Sequence, residues 1–156
     1  TLTAALVRRG FGYLTDEVAA VVPHDLSVVP FPKALDLDGS AQHLLGLDAS
    51  RYEGPGKQPV PVADIGRVSA GGRLALIVLL TDRVASLDAA TDGTSPTIAT
   101  LLELIGVTFV RTLEREDALD HLAHVAATVP VLRLRRAGLD DLCATVESAL
   151  NGPLSD

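Results

Sequence analysis

The chain of 156 residues is long enough for one domain that buries about 70% of the surface its unfolded form exposes. Its 13 Lys+Arg against 20 Asp+Glu give a formal charge of -7, which excludes the basic footprint of a nucleic-acid or anionic-membrane binder. One cysteine excludes an internal disulfide and a Cys-rich zinc site, and no apolar run approaches the roughly 18 residues of a membrane-spanning helix.

Leu2, Leu6 and Val7 recur at helical spacing, Arg8 and Arg9 suit the negative end of a helix dipole, and Gly10 suits the cap that follows. The chain therefore opens inside a helix, with nothing but Thr1 ahead of it. Residues 11–14 read as a short strand, 15–17 as polar punctuation, and 18–22 as a second strand that returns over 26–29 as a hairpin around Pro23-His24-Asp25. Pro30 and Pro32 stop that strand, residues 33–37 read as a turn of helix, and 40–45 as a short helix capped by Asp38 or Ser40 and ended by Gly46. Between residues 48 and 72 the glycines and prolines predict a long loop with one brief strand near 60–65.

Residues 75–80, Ala-Leu-Ile-Val-Leu-Leu, form a continuous apolar run of the kind buried on both faces of a parallel sheet, and are expected at the sheet's centre. A polar loop over 81–95 leads to Pro96, which opens a helix through Ile98, Leu101, Leu102 and Ile105, closed by Gly106. Residues 107–110 read as a strand and 114–127 as a helix with Ala118, Leu119, Leu122, Val125 and Ala126 inward. Residues 131–134 read as a strand and 139–150 as a final helix. The alternation predicts one α/β domain over 1–156: a layered, mixed, mostly parallel sheet flanked by helices, with a hairpin near its start. Composition and the lack of a basic leader predict a soluble cytoplasmic protein with no nucleic acid and no membrane among its partners, its oligomeric state left open.

Asp16-Glu17 is the first constellation with chemical meaning. It follows a short strand, and the carboxyl ends of strands are where open α/β sheets bind ligands; two acids there can hold magnesium or accept a proton. The stretch Thr1-Leu2-Thr3-Ala4-Ala5-Leu6-Val7-Arg8-Arg9-Gly10-Phe11-Gly12-Tyr13-Leu14-Thr15-Asp16-Glu17 resembles the segment that directly follows the Walker A lysine in the HPr kinase-like family of P-loop proteins. There, a Gly-Lys-Ser or Gly-Lys-Thr loop leads into a helix, an Arg-Gly turn and a strand ending in an acidic pair. The later hairpin with Pro30-Phe31-Pro32-Lys33, the 76–80 strand, the helix opening at Ser95-Pro96 and the 129–134 strand are similar to the C-terminal part of small kinase-like relatives.

The resemblance implies a P-loop fold of the phosphoenolpyruvate-carboxykinase/HPr kinase type, ATP and Mg2+ as cofactors, and phosphoryl transfer to a protein or peptide serine. By it, Asp16 helps deprotonate the acceptor serine, Glu17 lies beside magnesium, and Thr1 follows the phosphate loop or is its Ser/Thr. The sequence departs from the family by lacking the Gly-rich loop with its Lys and the Glu-x-Arg-Gly signature, which is absent from residues 48–72. Those departures predict a domain incomplete at its N-terminus and inactive as this chain, since backbone amides and a lysine are what cradle the phosphates. The alternative is a non-catalytic α/β module that binds a ligand or partner, with residues 48–72 as its docking segment.

Other constellations carry less. Gly54-Pro55-Gly56-Lys57 lacks phosphate-loop spacing and runs into Gln58-Pro59 instead of a helix. Asp117, Asp120, His121 and His124 draw a carboxylate-histidine face, but on the side of the helix that solvent takes. Arg133, Arg135 and Arg136 are expected to pair with nearby Asp140 and Asp141, and Cys143 shares an apolar stripe with Leu139, Leu142, Val146 and Leu150, as a core residue does.

Overall fold

The computed structural model describes residues 1–81, 96–108, 115–135 and 137–151. These form two units, Thr1–Arg73 with Leu139–Cys143, and Leu74–Gly138 with Ala144–Asp156. The expected loop over 81–95 falls, beyond Thr81, outside the described residues, as do Val110 and Arg136. Among the described residues the structure is a mixed α/β arrangement of helices and four small sheets, two of them parallel pairs.

The first unit opens with α1 (Leu2–Arg8), whose Ala4, Ala5 and Val7 are buried. Gly10 ends it at φ 105°, which lets the Gly10 amide donate to the Val7 carbonyl (3.0 Å) and the Phe11 amide to that of Leu6 (3.2 Å). The chain then enters β1 (Gly12–Tyr13), which pairs in parallel with β6 (Arg67–Val68). The predicted hairpin is present as β2 (Ala20–Val21) and β3 (Ser27–Val29), antiparallel with Ala20 opposite Val29; β7 (Gly72–Arg73) adds a third strand.

The expected helical turn over 33–37 is instead β4 (Leu35–Leu37), antiparallel to β5 (Gln58–Val60). Leu-Asp-Leu alternates with period 2, which a strand exploits by burying Leu35 and Leu37 while Asp36 faces the other way. Asp38 then caps α2 (Gly39–Leu44) by accepting from the Ala41 amide at 2.8 Å, a contact that typically contributes about 1 kcal/mol. Gly46, at φ 62°, closes that helix as predicted, its amide donating to the His43 carbonyl. The expected long loop over 48–72 is more ordered than its glycines and prolines suggest. It holds β5, β6 and two 3-10 turns, Ala49–Tyr52 and Val62–Asp64, with the brief strand at 58–60 and not 60–65.

Ala4 and Val7 of α1, Leu35 and Leu37 of β4, Val60 of β5 and Cys143 share one apolar core. Each fully buried Leu or Val there contributes roughly 1.5–3 kcal/mol relative to exposure. Cys143, at 0% exposure, is the core residue its stripe predicted.

The second unit contains β8 (Ile77–Thr81) parallel to β9 (Val131–Arg135), with α3 (Pro96–Val107) packed on α4 (Arg115–Thr128). The apolar run was expected to be buried on both faces at a sheet's centre. Among the described residues β8 bonds to β9 alone, and Leu80 is 45% exposed. An apolar run reports what a strand can bury, and its number of neighbours is set by pairing elsewhere in the chain. Gly106 does not end α3, which runs on to Val107, so the strand expected from residue 107 does not start there. Of the positions predicted inward on α4, Ala118, Val125 and Ala126 are buried, whereas Leu119 is 48% exposed. The last helix, α5 (Leu139–Asn151), has Leu139–Cys143 in the first unit and the rest in the second.

Candidate functional site

Strand β1 ends at Tyr13, and the chain leaves it through Leu14 and Thr15 into the Asp16-Glu17 turn. Two hydrogen bonds hold this exit: the Phe31 amide donates to the Leu14 carbonyl at 2.9 Å, and the Thr15 hydroxyl donates to the Val18 carbonyl at 2.7 Å. The acidic pair thus stands at the carboxyl end of a strand with a parallel neighbour, the position its sequence context predicted.

The turn after Phe31 brings Lys33 back to the acids. The Lys33 amide donates to the Phe31 carbonyl at 3.0 Å, and the side-chain Nζ lies 3.0 Å from Glu17 Oε2 and 3.4 Å from Asp36 Oδ2. Asp36 is available because β4 turns Leu35 and Leu37 into the core and leaves Asp36 on the opposite side. Lys33 therefore bridges carboxylates from two segments, and its ammonium is held above the usual lysine range, first by the hydrogen bond to Glu17.

Tyr13, the last residue of β1, instead enters the apolar core of the first unit with Leu35, Leu37 and Val60. The residue is 1% exposed and its hydroxyl has no hydrogen-bond partner among the described residues. Burial raises its phenol above the usual tyrosine range, and the charges of Asp16, Asp36 and Glu17 raise it further while Lys33 opposes them. The sequence singled out Asp16 and Glu17 by their place after a strand, and Lys33 only as part of the Pro30-Phe31-Pro32-Lys33 pattern; it did not single out Asp36, which the fold brings to Lys33. The signal for Asp36 was the Leu-Asp-Leu alternation, which marks a strand with one outward acid.

Thr1 stands at the N-cap of α1, exposed, and its side chain makes no capping hydrogen bond. Lys57 leads into β5 and not into a helix, unlike the lysine of a phosphate loop. On α4, Asp117, Asp120 and His124 are exposed and His121 is half-buried; no cluster of three or more metal-binding side chains occurs among the described residues. Burial, and then the charge of His124, lowers His121 below the usual histidine range. The expected pairing of Arg133 with Asp140 gives way to other partners. Arg133 donates to Glu103 (2.8 Å) and to the Thr100 hydroxyl (2.9 Å), while Asp140 pairs with Arg9 at 2.8 Å. The parallel strand β9 carries Arg133 to α3, and α5 turns Asp140 toward the end of α1.

No protein-family model, curated protein or solved structure matches the chain. No helix among the described residues is long and apolar enough to cross a membrane.

Proposed function

We propose that these residues form the acceptor side of an ATP-dependent phosphotransferase of the HPr kinase-like, P-loop type, acting on a serine of a protein or peptide. The observation that carries this reading is the Asp16-Glu17 pair at the carboxyl end of β1, directly after α1, with β6 as a parallel neighbour. In the reaction, the serine oxygen bonds to the γ-phosphorus as the bond to the leaving ADP oxygen breaks. Asp16 accepts the proton that the serine hydroxyl loses.

Carboxylates are the hard oxygen donors that magnesium prefers, and it needs only one or two of them beside phosphate and water; Glu17 and Asp36 converge on the Lys33 ammonium, and no third metal-binding side chain joins them among the described residues. Glu17 would hold the ion, which supplies charge neutralisation at the phosphates when bound. The 156 residues contain no Gly-x4-Gly-Lys-Ser/Thr loop, so the amides and lysine that grip the phosphates are the part of the reaction they do not supply.

Calorimetry with Mg-ATP tests the reading, on this chain and on one with a phosphate-binding loop joined ahead of Thr1. Binding by the loop-bearing chain, with serine phosphorylation lost in Asp16→Asn, is the expected result. Binding by neither chain refutes it and favours a non-catalytic partner-binding module.

A further inference from the structure

Strand β2 lies at one side of its sheet: the order is β2-β3-β7, and among the described residues β2 pairs with β3 alone. Outer strands are usually guarded by a charge or a proline, because their outward amides and carbonyls are a template for another strand. Residues 18–22, Val-Ala-Ala-Val-Val, carry neither, and the first proline comes at Pro23. Val18, Ala19 and Ala20 are exposed, Val18 to 50%. The Val22 amide donates to the Ser27 carbonyl at 2.8 Å, so Val22 and, two residues back, Ala20 direct their backbone groups to β3. Alternation turns the amides and carbonyls of Ala19 and Val21 outward. We propose that a second copy of this chain occupies this edge, its β2 antiparallel to the first about a two-fold axis between the two Ala20 residues.

The order of charges along the edge selects that occupant. Asp16 and Glu17 precede the uncharged segment 18–22, and His24 follows it. With Ala20 facing Ala20, Val18 faces Val22 and Asp16 falls opposite His24 of the second copy, an imidazole whose side chain is 80% exposed. Asp25 at the same tip is already held: it accepts from the Ser27 amide at 2.9 Å and lies 3.5 Å from His24, and Arg73 donates to its carbonyl at 2.9 Å. The Lys33 ammonium compensates Glu17 in the same way. An antiparallel copy therefore sets an acid against an imidazole at both ends at once, whereas a parallel one sets acid on acid. Between those ends no charged side chain occurs, so the formal charge of -7 brings no like charges together along 18–22. Ala19 and Val21 of each copy exchange hydrogen bonds with Val21 and Ala19 of the other. The inference does not depend on the phosphotransferase reading, but it brings a histidine of the second copy beside Asp16.

A cysteine at the axis reads the register. Ala20→Cys, a change at an exposed position, is expected to close a disulfide between two copies under copper phenanthroline, because facing residues of an antiparallel pair bring their Cβ atoms within disulfide reach. Cys143, the chain's one native cysteine, is 0% exposed and does not compete. Val18→Cys is the control: its counterpart in the second copy lies four residues further along, about 13 Å away, and cross-linking should be at least about tenfold slower. Sedimentation of the unaltered chain over a range of concentrations should show a monomer–dimer equilibrium. Ala20→Lys sets two ammoniums face to face at the axis and should weaken that equilibrium by about tenfold or more, with circular dichroism unchanged. Equal cross-linking at positions 18 and 20, or a dimer that Ala20→Lys leaves intact, overturns this edge as the interface. A chain that stays monomeric at every concentration, with no cross-linking at position 20, overturns the second copy as its occupant.

Discussion

Replacing Tyr13 by Phe removes one atom from the core of the first unit, at the end of β1, and should make the protein more stable. The aromatic ring is buried to 1% exposure and keeps its packing in the variant, so the apolar contribution is unchanged. Only the hydroxyl goes, and it has no hydrogen-bond partner to lose among the described residues. A buried hydroxyl left unpaired costs about 1–3 kcal/mol, so Tyr13→Phe should recover about 1 kcal/mol or more. With a urea dependence of roughly 1–3 kcal/mol per molar, the unfolding midpoint should rise by about 0.3–1 M. The assay is equilibrium urea unfolding followed by circular dichroism, at pH 7 without divalent ions. A midpoint lowered by the same amount would refute the reasoning, because it would mean that the hydroxyl makes a stabilising bond. The same residue has a pH signature of definite sign. Burial, followed by the charge of Asp16, raises the Tyr13 phenol in the folded protein above the ordinary 10.0, so the folded state holds that proton more tightly than the unfolded chain. Stability from this source is therefore complete below pH 10 and falls as the pH rises through the folded value. Tyr13→Phe should lack that alkaline loss.

Two further outcomes concern the first unit. A Cβ at Gly66 would lie 2.6 Å from Val7 Cγ1 and 3.0 Å from the Val7 carbonyl oxygen, so Gly66→Ala should destabilise by about 1–3 kcal/mol through overpacking. Gly39→Ala, where nothing lies within 4 Å, is the control for thermal melting and should leave the midpoint unchanged or raised. On the acid side, Asp25, Asp48 and Asp64 have carboxyls below the ordinary 3.8. The main causes are hydrogen bonds from the Ser27 amide, the Ser50 hydroxyl and the Tyr52 hydroxyl respectively. Their contribution is complete above pH 3.8 and lost as the pH falls below it, and urea midpoints between pH 6 and pH 2.5 should show a weaker fall in Asp25→Asn than in the parent.

The sequence alone determined the local features whose causes lie within a few residues. The ends of α1 and α2 were legible because Gly10 and Gly46 sit where only a left-handed residue closes a helix, and Asp38 was legible as a cap because its carboxylate reaches an amide three residues on. The β2–β3 hairpin followed from two apolar runs on either side of a turn, and Cys143 from its stripe on α5. That Asp16 and Glu17 follow the end of a strand was visible because a strand-to-turn exit leaves a short local pattern.

Tertiary structure alone decided what depends on partners far along the chain. Residues 35–37 became a strand because β5, more than twenty positions later, supplies the hydrogen bonds; their local pattern suited a turn as well. The same pairing decided that 48–72 is more than a loop. Among the described residues strand β8 lies beside one strand where an apolar run suggested two, since pairing is a property of the whole chain and apolarity belongs to a segment. The bridge from Lys33 to Glu17 and Asp36 has no sequence signature. It exists because the Phe31–Leu14 hydrogen bond folds one segment onto the exit of another, and that contact sets which charges meet.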